Sequence, residues 1–293
     1  MEQISKTKQY KKRSQFQEIV HRFSKNKGAM LGLAFIIILI LFAVFADVMF
    51  DYEAEVIKQN IPERLMAPCK EHILGTDKYG RDLFARIIYG TRASLPVGLV
   101  AVLIALVVGV VFGAAAGFFG GKVDNIIMRF MDIFAAVPSV LMAIALVAVM
   151  GEGILSLMVA VGVAAVPAFS RVVRAAVLSV RNQEYVESAR AIGKNSWEII
   201  MGHILPNCLS PIIVQVSLRI ASSIILASGL SYLGLGVPAP TPEWGALLSA
   251  GREFMRDHVN LTLFPGLAIM LTVIAFNLVG DGLRDAMDPK LKK

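Results

Sequence analysis

The feature that most constrains this chain is its set of uncharged apolar runs, of which Ala93 to Gly121 is the longest. Crossing the hydrocarbon core of a bilayer takes roughly 20 apolar residues at 1.5 Å rise each. In that solvent each backbone polar group must be satisfied within its own segment, so continuous apolar runs of this length read as helices. The sequence therefore predicts an all-α, polytopic membrane protein with six transmembrane helices. They fall at about 28–50, 94–119, 133–151 and 153–170, then from after Pro206 to about 231, and at 260–280. Only Gly151 and Glu152 separate the third and fourth runs, which predicts an antiparallel hairpin. Charged residues make up 17% of the chain, whereas a soluble domain carries about 25%.

The first 27 residues are polar and basic, and the run after them is longer than the apolar part of a signal peptide, so it reads as a retained span. A formal net charge of +7 would suit a nucleic-acid binder, but the basic residues flank apolar runs. Six spans put both termini on one side, where the connecting segments hold 19 Lys and Arg against 9 on the other. The positive-inside rule then places both termini in the cytoplasm. The expected organisation is a cytoplasmic tail (1–27), a first helix with an outer loop (28–92), a five-helix core (93–282) and a cytoplasmic tail (283–293). Within the core, a cytoplasmic loop occupies 182–207.

Gly109, Gly113, Gly117 and Gly121 form a GxxxG ridge, a surface for close helix packing in lipid. Pro96, Pro138, Pro167 and Pro265 lie in or beside spans, where such breaks often border a cavity. Cys69 and Cys208 suggest neither a disulfide framework nor a metal site, and His21, His72, His203 and His258 fall in four separate segments. GFFGGKV at 117–123 lacks the spacing and the Ser/Thr of a phosphate-binding loop. Asp47 and Asp132 sit near span ends, leaving no acid at mid-membrane depth for a proton-coupled carrier, and no inverted repeat is evident. Nothing near water forms a Ser/His/Asp or HExxH constellation, so the chain does not read as an enzyme.

The polar stretch EYVESARAIGKNSWEIIMGHILPN, 184–207, interrupts this pattern. Tyr185, Val186, Ala189 and Ile192 share one helical face, leaving Glu184, Glu187 and Ser188 for water or a partner. Gly193 is placed to end that helix, and Asn195 with Glu198 forms a capping box that starts another. Trp197, Ile200, Met201 and Ile204 make a second stripe, closed by Pro206. The result is a helix–turn–helix on the cytoplasmic face, either an interfacial anchor or a partner surface.

Glu187-Ser188-Ala189, Gly193 and Leu205-Pro206 resemble, with matching spacing, the "EAA" loop of ABC importer permeases. Ser188 and His203 stand where that pattern has Ala and Ile. HILGTDKYGRDLFARIIYG (72–90), LGLGVPAPTPEWG (233–245) and FNLVGDGLRDAMDPKLKK (276–293) are similar to segments of the dipeptide, oligopeptide and nickel permeases, the last to their "C" subunits. The resemblance implies the type I importer permease fold. It also implies a bacterial or archaeal plasma membrane, a second homologous permease subunit, two ATPase subunits that hold ATP and Mg, and an external solute-binding protein. Glu184, Glu187, Ser188, Ala189, Gly193, Leu205 and Pro206 would couple to the ATPase, with Glu187 pairing to a basic group there. Di- or oligopeptides are the implied substrates, with nickel complexes or glutathione-like peptides as alternatives. No catalytic residue, resident cofactor, metal or nucleic-acid partner is expected.

Within 72–90, GTDKYGRD reads as a turn at the outer face and LFARIIYG as a short interfacial helix. Asp281, Arg284 and Asp285 either meet the ATPase or pair with each other. Arg219 would lie roughly 17 Å into the fifth span if that span starts at Cys208. It either faces the pathway and attracts a peptide carboxylate, or marks an interface with the membrane portion beginning at Ile220.

Overall fold

The computed structural model describes residues 15–287. Eleven α-helices follow in order: α1 (Gln15–Lys25), α2 (Lys27–Met49), α3 (Leu83–Phe119), α4 (Gly121–Ala136), α5 (Ser139–Met150), α6 (Ile154–Val180), α7 (Glu184–Ala191), α8 (Ser196–Ile199), α9 (Leu209–Tyr232), α10 (Trp244–Gly251) and α11 (Asn260–Met287). No strand is present among the described residues, only an isolated bridge between Thr76 and Asp82. α1 lies inside the expected N-terminal tail, and the last six residues of the expected C-terminal tail lie outside the described residues.

Helix starts follow their capping residues. Asn26 accepts from the Ala29 amide at 3.1 Å to open α2, and Asp82 accepts from Ala85 at 2.8 Å to open α3. α2 is apolar all round but buries one narrow face, Ala29, Gly32, Ile36, Leu39 and Ala46, and it packs on α11. Its remaining surface, with Leu31, Val44 and Val48, is exposed, as a helix facing lipid requires.

α3 is 37 residues long, about 55 Å, so LFARIIYG is its first two turns and not a separate interfacial helix. Pro96 sits inside α3 without ending it. Proline removes one ladder hydrogen bond, and α9 packs closely beside this turn, where a Cβ on Gly98 would lie 2.5 Å from Ile224.

The centre of the bundle is the contact between α3 and α6. A Cβ on Gly109 would approach Phe169 Cβ to 2.5 Å, one on Gly113 the Ser170 carbonyl to 2.6 Å, and one on Gly117 Val177 to 2.8 Å. Three glycines of the expected ridge therefore let the two backbones nearly touch. Gly121 is not part of it: it has φ +52°, meets nothing within 4 Å and opens α4.

Five of the described helical segments are long and apolar enough to cross a membrane, and the expected third span is not among them. It splits at Pro138 into α4 and α5, bent by 87°. Val137 is extended (φ −87°, ψ 128°), because proline disfavours helical backbone in the residue before it and has no N–H of its own. The 12 residues of α5 reach only about 18 Å. A sixth crossing exists only if the bent pair counts as one. The expected hairpin turn is present, with Gly151 and Gly153 at positive φ between α5 and α6.

α6 continues to Val180, ten residues beyond its expected end. Its charged residues do not break the helix because they are paired to α4: Arg174 grips Asp124 through two bonds of 2.5 and 2.6 Å, and Arg171 meets Asp132 at 2.9 Å.

The α3–α6 contact yields a stability prediction. Gly113→Val forces a side chain against the Ser170 carbonyl and should cost about 1–3 kcal/mol or more, because backbone cannot yield as a flexible side chain does. Gly266→Ala on α11, where the nearest atom is 3.8 Å away, should be close to neutral. Thermal unfolding of the purified protein in detergent reads the difference, and equal midpoints would contradict the contact.

Candidate functional site

Two features stand out: a rigid loop at the end of the bundle formed by α7 and α8, and a groove along α9.

The loop begins where α6 ends. α7 buries Val186 and Ala189 and ends in a Schellman motif, with Gly193 N–H donating to the Arg190 carbonyl at 3.0 Å and Lys194 N–H to that of Ala189 at 3.1 Å. Gly193 holds φ +82° with nothing within 4 Å, so backbone conformation and not space demands glycine there. The capping box is complete: Asn195 Oδ1 accepts from Glu198 N at 2.9 Å, and Asn195 N donates to Glu198 Oε2 at 3.3 Å.

Beyond α8 the backbone does not stop at Pro206. It passes through a π turn (Ile200–Ile204) and a 3-10 turn (Leu205–Cys208) straight into α9. The widened turn before Pro206 accommodates a ring that would clash with a regular α-helical carbonyl. The expected second helix of the loop is therefore continuous with α9.

Val186, Ala189, Ile199, Ile200, Ile204 and Cys208 form one buried cluster with Ala114 and Phe118 of α3 and Val173, Ala176 and Val177 of α6. Each expected apolar stripe is divided. Ile200 and Ile204 are buried, while Tyr185, Ile192, Trp197 and Met201 are exposed, Ile192 and Trp197 by 75% and 69%. His203 does not anchor the loop; its Nε2 accepts from Lys194 Nζ at 2.8 Å, and the fully buried Ile204 fills the apolar place. Arg190 stacks over Phe118, 5.2 Å from the ring centroid. The outward residues Glu184, Glu187 and Ser188 are exposed, Leu205 is half-buried and Pro206 exposed. Among the described residues neither the Glu184 nor the Glu187 carboxylate has a partner.

The groove is a cavity of about 520 Å³ bordered by α5, α6 and α9. Its walls are apolar apart from a few polar groups, chiefly Ser139, Ser222, Ser223 and Arg219. Arg219 is half-buried, and no acidic residue borders the cavity.

At the opposite end, Asp77 organises the GTDKYGRD turn. Its Oδ1 accepts from the Tyr79 and Arg81 amides at 2.8 and 3.0 Å, and its Oδ2 takes the Arg81 side chain at 2.7 and 2.8 Å. Arg86 ties this turn to other segments by donating to the carbonyls of Val56 and Pro240. Sequence reasoning did not single out Glu243, which is buried and accepts from Ser94 Oγ, Gly245 N and Ala246 N, capping α10 and fixing it to α3. Its only signal was an acid directly before a short apolar run. Asp281, Arg284 and Asp285 make no ion pair with each other; Asp285 shares a small surface pocket with Arg22 and Lys25 of α1.

Residues 109–293 match the family model of the binding-protein-dependent transport system inner membrane component, and residues 14–68 that of the N-terminal TM domain of oligopeptide transport permease C. The chain is 45% identical over 284 residues to a dipeptide transport system permease protein of Alkalihalophilus pseudofirmus, covering 97% of this chain and 93% of the relative. It is 46% identical over 281 residues to a glutathione transport system permease protein of Pectobacterium atrosepticum, covering 96% and 93%. A di/tripeptide transport system permease protein of Pseudomonas aeruginosa is 41% identical over 283 residues, covering 95% and 93%. Among solved structures, an inward-facing MetNI methionine ABC transporter matches with a TM-score of 0.57 at 17% identity, over 69% of this chain and 97% of that one, a likeness of fold. The chain belongs to the binding-protein-dependent transport system inner membrane components: it is a multi-pass permease subunit of an ABC importer.

The opposite end carries a pH dependence. Burial disfavours the charged form of His72, but Asp82 at 2.8 Å and Glu63 at 3.4 Å outweigh it, so its pKa is raised above 6.5. The protonated ring's contribution is then fully present below the unfolded value and is lost as pH rises through the folded one. Amide protection factors across 60–82, taken relative to the intrinsic exchange rate at each pH, should be higher at pH 5.5 than at pH 8.5. His72→Gln should abolish the pH effect, and an unchanged pH dependence in that variant would exclude His72 as its source.

Proposed function

We propose that this permease subunit carries peptides inward and is driven through the loop 184–207 by an ATPase. The observation that carries the coupling assignment is the loop's division of labour. Its inner face is locked into α3 and α6, while its outer face presents unpaired carboxylates at Glu184 and Glu187 beside the uncovered side chains of Tyr185, Ile192, Trp197 and Met201. A lone exposed loop would absorb an applied motion, whereas one seated on two core helices passes it on as a rigid-body displacement. Isolated apolar side chains on a surface need no explanation, but four exposed ones in a single short segment that also carries two unpaired acids suit a protein partner bearing a basic, partly apolar cleft. Gly193 and Ala189 then shape the turn, Ser188 keeps the outward face small, and Leu205 with Pro206 steers the chain into α9.

In this reading the loop and both termini are cytoplasmic, in keeping with the excess of basic residues on that side. Two ATPase subunits hold ATP and Mg, a second permease subunit completes the pathway, and a binding protein delivers substrate to the opposite face. Substrate class rests on the relatives: dipeptide, di/tripeptide and glutathione permeases all handle peptides. In this reading transport proceeds by alternating access, with motion entering at the loop and reaching the groove through α6 and α9.

Glu187→Lys tests the coupling. It should lower ATPase co-purification and reduce peptide uptake by about 10-fold or more, as charge reversal at a protein interface does. Wild-type assembly together with wild-type uptake would remove Glu187 from the interface.

A further inference from the structure

We infer that Arg219 is a specificity-determining residue of the translocation groove, holding a carboxylate of the substrate as it passes α9. The inference rests on the proposed role in peptide import and adds to it a named contact and a ligand charge.

Three observations converge. Arg219 lies about 15 Å along α9 from Leu209, near the middle of a 24-residue helix. Were the membrane portion to begin at Ile220, only about 20 Å of α9 would remain, short of the roughly 30 Å hydrocarbon core. Arg219 is therefore inside the span. Next, the guanidinium has no hydrogen-bond or ion-pair partner among the described residues, although every other arginine of α3 and α6 has one: Arg86, Arg92, Arg171, Arg174 and Arg181 reach a carboxylate or a carbonyl. (Arg181 caps the end of α6.) Arg129 of α4 and Arg284 of α11 also lack a partner among the described residues, but both are exposed, whereas Arg219 is half-buried near the middle of its helix.

The third observation is where it sits. Arg219 borders the 520 Å³ cavity, which is large enough for a short peptide and has no acidic residue in its wall. Ser222, Ser223 and Ser139 add hydroxyl groups to the same wall. A cation at that depth is costly to keep without an anion, and it persists where a transported anion meets it. The guanidinium presents a planar fork of donors that matches a carboxylate through two parallel hydrogen bonds, which a lysine ammonium cannot reproduce. The carboxylate is either the peptide C-terminus or an acidic side chain.

The test is uptake by the assembled importer in vesicles, with each peptide at a concentration that saturates the binding protein. The peptides are a neutral tripeptide with a free C-terminus, the same tripeptide as its C-terminal amide, and an amidated tripeptide bearing one Asp. Arg219→Gln should slow the free-acid peptide by about 10-fold, the loss of one charge-assisted pair, while changing the neutral amide by less than about 2-fold. Slowing of the amidated Asp peptide as well would identify any carboxylate as the ligand, and its sparing would assign the C-terminus. Arg219→Lys should recover part of the rate. Equal slowing of all three peptides, or slowing of none, would overturn the inference. So would loss of complex assembly in Arg219→Gln, because Arg219 would then be pairing with another subunit. If the wild-type complex imports none of the peptides, the proposed peptide import fails instead, an outcome distinct from any difference between variants.

Discussion

The near contact of α3 with α6 is the constraint on which the rest of the structure depends. Gly109, Gly113 and Gly117 remove side chains where Phe169, Ser170 and Val177 arrive, so the two most buried of the long helices share their backbones' surfaces. In lipid, apolar burial drives helix association weakly, and close van der Waals packing over small residues replaces it. With that axis fixed, α9 lies against both helices, α11 against α9 and α2, and α5 against α6. The loop inherits its position from the same pair, since the cluster under Val186, Ile199 and Ile204 is built from the ends of α3 and α6.

Charge is treated differently at the two ends and in the middle. At one end α4 is clasped to α6 by Asp124–Arg174 and Asp132–Arg171, while the loop beyond leaves its own acids unpaired. At the other end Asp77, Arg81, Arg86 and Glu243 are all buried, and hydrogen bonds occupy them in tying turns to α3 and α10. Between these zones Arg219 is the one charge on α9.

The loop shows how far local sequence rules reach. Gly193, Asn195 and Glu198 act within a few residues of themselves, through a left-handed turn and a capping box, and the structure contains both. The apolar stripes failed as groups because periodicity identifies a face without saying what covers it. Ile200 and Ile204 found α3 and α6, while Trp197 and Met201, on the same stripe, found nothing in this chain. At His203, by contrast, the sequence already offers the adjacent Ile204 as the apolar anchor, and Ile204 is the buried residue.

What the sequence determined by itself was whatever a segment decides alone: that the chain is helical and polytopic, where most apolar runs lie, which residues cap or turn, and which end is more basic. Those depend on hydrophobicity along a run and on hydrogen bonds a few residues apart. Tertiary structure decided the remainder. Pro96 and Pro138 carry the same local signal, yet α3 runs through the first while the chain bends 87° at the second. Arg171 and Arg174 looked like the limit of a span until α4 supplied their carboxylates. For Arg219 only the fold supplies the surroundings, a cavity wall between α5, α6 and α9 that no acid borders. In each case the outcome is set by a neighbour far away in sequence, whose presence or absence fixes the free energy of the break or the charge.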